Sequence, residues 1–137
     1  MILTSKTLEL IASEMSTCPY ISGRYYPIVG PQETVYPFVA ASPIYLVPDW
    51  TFTQNIQEVR IQFSVYDNNP SPNITTNILR HIECIFHRNH SLEFLAPLNT
   101  CHLICSYKLN EIILYLNKDH YWQGTADYVF VCQRDRI

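Results

Sequence analysis

Glycine is scarce in this chain: Gly23, Gly30 and Gly124 are the three among 137 residues. A phosphate-cradling loop or a dinucleotide fingerprint needs glycines closely spaced ahead of a helix, and these three cannot assemble one. Charge is scarce as well. Asp, Glu, Lys and Arg make up 15% of the residues, against roughly 25% in an ordinary soluble domain. Basic residues number 9 against 12 acidic ones, for a formal charge of −3. That excludes the electrostatic footprint of a protein that wraps nucleic acid and the polybasic run of one held at a membrane surface. No apolar stretch approaches the ~20 residues of a membrane span. Lys6, Glu9 and Glu14 interrupt the N-terminal segment, which has no small-residue cleavage site, so no secretory signal is expected. No G-x-S-x-G elbow and no H-E-x-x-H occurs.

What the chain has is apolar material: 47% hydrophobic and 13% aromatic residues. That suffices for one core, and the length fits one domain over residues 1–137. A monomer of this size exposes on the order of 7,000 Å². So few charges coat that area thinly, which predicts burial of part of it in other subunits. The cysteines, Cys18, Cys84, Cys101, Cys105 and Cys132, are odd in number. They read as free thiols acting as small hydrophobes in a reducing compartment.

Apolar periodicity sets the expected elements. Leu8, Ile11 and Met15 share a helical face, predicting a helix over 4–15 with Thr4 or Ser5 as cap and an end at Cys18-Pro19. Residues 20–28 read as a short strand. Residues 37–48 read as another, in which Pro43 demands an edge or a bulge. Over 56–67, Val59, Ile61, Phe63 and Val65 alternate with polar neighbours, the pattern of a strand with one buried face. After the breakers at 67–72, Ile74, Ile78, Leu79, Ile82, Ile85 and Phe86 predict a helix over 73–90, capped by Asn73. A long β-rich run at 98–116, bent near Asn110, and a last strand at 125–133 complete the chain. The joining loop at 117–124 carries Trp122, and the loop at 48–54 carries Trp50. The order α-β-β-β-α-β-β predicts an α+β fold, an antiparallel sheet with two helices on one face. Residues 133–137 are expected to form a flexible C-terminal arm.

Two clusters invite a chemical reading and neither sustains it. His81, Cys84, His87 and His90 fan around a helix, since positions 81 and 87 lie about 600° of rotation apart, whereas zinc needs ligands converging on one point. Cys101 and Cys105 fall on one strand face and His102 on the other, parting the thiol from the imidazole that would activate it. No enzyme, metal or cofactor is expected.

Residues 23–44 carry a recognisable pattern: Arg24, Tyr25, Tyr26 and Pro27, then Pro31 and Gln32, then Tyr36, Pro37, Phe38 and Val39. The strand Arg60-Ile-Gln-Phe-Ser-Val-Tyr66-Asp67 follows. This resembles the tail completion, or tail terminator, proteins of tailed bacteriophages, in motif over 23–67 and in element order over nearly the whole chain. The resemblance implies a virion structural protein of the tail or neck, assembled in the host cytoplasm. It implies a homo-oligomeric ring, usually hexameric, that caps the tail tube, stops its polymerisation and meets the head connector or head-closure protein. Double-stranded DNA would pass through the lumen without sequence-specific binding. Six copies at −3 each carry −18, a balance that would not hold phosphates. No membrane partner is implied. The expected interface residues are Pro31, Gln32, Tyr36, Trp50 and Trp122, in the loops at 29–36, 48–54 and 117–124. Three alternatives stay open: another head–tail joining or tube component, a small-ligand-binding α+β domain with a concave apolar pocket, and an enzyme using Cys101 or Cys105, marked by a reactive thiol.

Overall fold

A computed structural model of the chain describes residues 2–21, 24–27, 36–44, 56–89, 101–116 and 121–134. The elements are α1 (Ile2–Met15), β1 (Tyr25–Pro27), β2 (Phe38–Ile44), β3 (Ile56–Asp67), α2 (Asn73–Phe86), β4 (Cys101–Leu116) and β5 (Tyr121–Arg134). The five strands form one sheet in the order β1-β2-β3-β5-β4. The expected α+β class and the α-β-β-β-α-β-β order are both present.

Alternation along the strands builds the core. Val59, Ile61, Phe63 and Val65 of β3 are buried, as are Ala126, Tyr128, Phe130 and Cys132 of β5. Ile78, Leu79, Ile82 and Phe86 of α2 and Leu10, Ile11 and Met15 of α1 close over the same side, in one cluster with the strand residues. Both helices therefore cover one face of the sheet. Phe63 stacks on Phe86 at 5.5 Å, meets Tyr128 edge-on at 5.4 Å, and Phe86 packs on Phe130 at 5.5 Å. Each side chain so buried contributes roughly 1.5–3 kcal/mol of transfer free energy.

The structure corrects several sequence expectations. Helix α1 already runs at Ile2, so Thr4 and Ser5 lie inside it. Its C-terminus is closed by hydroxyls, Ser16 Oγ donating to the Ser13 carbonyl (2.6 Å) and Thr17 Oγ1 to that of Glu14 (2.7 Å). The 20–28 strand shrinks to Tyr25–Pro27, and it pairs with β2 in parallel, Tyr25 opposite Val39. The sheet is thus antiparallel except for this pair. Pro43 pairs with Ile61 of β3 but lies two residues beyond Ala41, the last partner of β1. Its missing N–H breaks no ladder on that side.

At α2 the N-cap is Pro72, with no side-chain cap bond, so Asn73 is not the cap. The helix stops at Phe86 rather than 90, since His87 is extended and Arg88 has φ +53°. The bend near Asn110 is a register shift between Lys108 and Asn110, and another lies between Leu103 and Cys105. Strand β5 begins at Tyr121, so Trp122 and Gly124 are strand residues rather than loop. Gln133 and Arg134 are paired with His102 and Cys101 at the end of β5, so of the expected arm only 135–137 lie outside the described residues.

Candidate functional site

The quoted motif assembles around the β1–β2 pair. Arg24 Nε donates to the Pro37 carbonyl at 2.8 Å, and the Val39 N–H to the Arg24 carbonyl at 3.0 Å. Tyr25 turns toward the core, where burial raises its phenol above the ordinary 10.0. Tyr26 and Phe38 alternate to the sheet face away from the helices. There they join Tyr66 of β3 and Tyr121 of β5. Ring centroids lie 5.9 Å apart for Tyr26–Phe38, 4.9 Å for Phe38–Tyr66 and 5.8 Å for Tyr66–Tyr121. Tyr36 bridges Phe38 (5.6 Å) and Tyr121 (6.1 Å). Gln123 Nε2 donates to the Tyr66 hydroxyl at 3.4 Å. The result is a half-buried aromatic row across four strands.

At the same end of the sheet, on the helix side, Trp122 packs on Tyr115 at 4.9 Å. Its indole N–H is buried with no acceptor. Neighbouring Asp67 is fully buried, and both its carboxylate oxygens accept from the Asn69 amide (2.8 and 3.0 Å). Of the expected interface residues, Tyr36 and Trp122 therefore come to one end of the sheet, on opposite faces. Pro31, Gln32 and Trp50 lie outside the described residues, as do the 29–35, 48–54 and 117–120 stretches of the expected loops.

Strand β4 forms one edge of the sheet and carries the largest apolar exposure among the described residues. Leu109, Ile112, Leu114 and Tyr115 are 44%, 57%, 53% and 41% exposed. Sequence reasoning placed this strand but missed the strip. The signal was the unbroken run Ile112-Ile113-Leu114-Tyr115-Leu116, which makes both faces of a strand apolar instead of one. Beside the strip, α2 and β4 are bound by ion pairs. Arg80 meets both Glu83 and Glu111, and Lys108 Nζ meets Glu83 at 3.1 Å. The Lys108 hydrogen bond holds the Glu83 carboxyl below its ordinary 4.5. Below the network, burial and then the Glu83 and Glu111 carboxylates raise the Tyr128 phenol above 10.0.

A shallow groove of about 290 Å³ runs past His87, Arg88, Cys105, Ser106, Tyr107 and Lys108. Cys18, Cys84 and Cys105 are free thiols, Cys84 exposed and Cys105 partly so, and the buried Cys132 Sγ donates to the Phe130 carbonyl. Among the described residues no three His, Cys, Asp or Glu side chains gather into a metal site, and no helix is long and apolar enough to cross a membrane. Aromatic rows and exposed apolar edges are surfaces for docking, and that is what this arrangement offers chemically.

No protein-family model matches the sequence, and no curated protein resembles it in sequence. The fold has a counterpart. A chain in the virion of a native gene transfer agent particle shares it with a TM-score of 0.72, over 92% of each chain at 9% identity. At that identity the two chains share an architecture rather than a sequence.

Proposed function

We propose that this chain is a structural protein of a phage-like virion. Within that class we read it as a tail terminator: a ring, six copies around, that caps the tail tube and halts its growth. The ring joins the tail to the head connector, with DNA passing through the lumen. The observation that carries the reading is the fold correspondence with a virion chain over 92% of both molecules. The motif between Arg24 and Val39 supports the finer role, because its residues form a joint that ties β1 to β2. The apolar strip on β4 supports a multi-copy state, since a neighbouring copy would cover what one copy leaves bare.

Purified tail tubes supplied with fresh tube subunits test the role. With this chain added, tubes are expected to stop elongating and to carry a cap of six copies at one end. Tubes that lengthen at the same rate and bind none of it would overturn the reading.

A further inference from the structure

The turn that follows α2 grips the outer edge of β4. Asn89 and Ser106 exchange both backbone hydrogen bonds, at 3.1 and 3.0 Å. Ser106 Oγ donates to the Phe86 carbonyl at 2.5 Å, and Asn89 Nδ2 to the Ile85 carbonyl at 2.7 Å. Two residues further along the edge, the Lys108 backbone N–H donates to His87 Nδ1 at 3.0 Å. The positive φ of Arg88 lets the chain reverse so that His87 and Asn89 both reach the strand. Residues 86–89 thus cover the edge at Ser106 and Lys108. Beyond Lys108 the inner side of β4 is paired with β5, and among the described residues no strand pairs with the outer side of the stretch from Leu109 to Leu116.

One of these contacts can be switched by a proton. A ring nitrogen that accepts an N–H carries no hydrogen, so the neutral His87 imidazole holds its proton on Nε2. Protonating Nδ1 makes it a donor, and two N–H groups then oppose each other across the former bond. Imidazoles change charge between about pH 5 and 8. The groups facing His87 are Glu83 on α2, Arg88 in the turn, and Cys105, Tyr107 and Lys108 on β4. Arg80 and Glu111 complete the ion-pair network beyond them. Glu83 and Glu111 attract an imidazolium, but both are already engaged by Arg80 and Lys108. Arg80, Arg88 and Lys108 repel it.

We propose that residues 86–89 are an acid-labile clasp. Neutral His87 holds the turn against β4, and protonation of its Nδ1 releases it. The Ser106 and Lys108 N–H groups then become free to pair with another strand, which joins them to the open stretch beyond Leu109. The clasp is independent of the virion reading.

Residue-resolved amide exchange between pH 8 and pH 5, expressed as protection over the intrinsic rate, tests it. Lys108 is expected to lose protection at least about tenfold on acidification, while Phe63 and Phe130 inside the sheet hold theirs. In His87→Ala, Lys108 should be weakly protected at both pH values. Unchanged Lys108 protection in the wild type would overturn the clasp, as would an equal loss at Phe63 and Phe130 or a surviving pH dependence in His87→Ala. Nitrogen chemical shifts of the wild-type His87 ring need no variant. They should report the proton on Nε2 at pH 8, and a proton on Nδ1 there would also overturn the proposal.

Discussion

Gly124 stands where α2 touches the sheet. A Cβ built on it would lie 2.8 Å from Leu79 Cδ1 and 2.8 Å from Thr75 Cγ2. Leu79 can swing away, but β-branched Thr75 is stiff at χ1 and fully buried. Gly124→Ala should therefore cost about 1–3 kcal/mol by overpacking, read as a lower urea midpoint at unchanged slope. Tyr128 is the opposite case, a buried hydroxyl with no partner. Tyr128→Phe should stabilise the fold by about 1 kcal/mol. Because burial raises the Tyr25 and Tyr128 phenols, the unfolded chain gains by ionising first. Stability should fall as the pH climbs past the ordinary 10.0, and less steeply in Tyr128→Phe. Glu83 works at the acid end. Its carboxyl is lowered by the Lys108 hydrogen bond, so its contribution is present above 4.5 and lost as the pH falls below it. Denaturation midpoints measured from pH 6 to 3 should drop more for the wild type than for Glu83→Gln.

Elements were legible wherever one face is buried and the other wet. The alternation in β3 and the Ile78, Leu79, Ile82, Phe86 stripe of α2 follow directly from where the core lies. Errors cluster where tertiary contact overrides the local signal. His87 to Asn89 continue a helical pattern, yet the β4 edge takes them as hydrogen-bond partners. Gly124 reads as a turn residue, yet it is small because α2 presses on β5 there, and strand alternation already runs through Trp122, Gly124 and Ala126. Of the expected interface residues that the structure describes, Tyr36 was named from the motif and Trp122 from its residue type. The aromatic row was not, because its members lie on four strands, and only the register brings Phe38 beside Tyr66. The strip on β4 carries a prediction of its own. Ile112→Lys with Leu114→Lys changes exposed positions, so the circular dichroism spectrum and melting point should stay near wild type. Subunit association should be lost, which sedimentation checks. An unchanged association would remove the strip from the interface.

The whole molecule pairs a well-filled core with a thin coat of charge. Fifteen per cent charged residues must serve both faces of a five-stranded sheet, and helices cover only one of them. Among the described residues, four of the five exposed large apolar side chains sit on the edge strand β4, Tyr20 being the fifth, and a clustered patch of that kind suits the contact with other copies proposed above. The aromatic row, the Tyr115–Trp122 pair and the β4 strip together give such a surface several contact points. A head-to-tail contact of this kind closes into a ring when its rotation divides a full turn. Light scattering on the purified chain at high concentration weighs the assembly directly. The account predicts six copies of 16.0 kDa, about 96 kDa. A particle of 16.0 kDa at every concentration, and no higher mass when tail tubes are added, would contradict it.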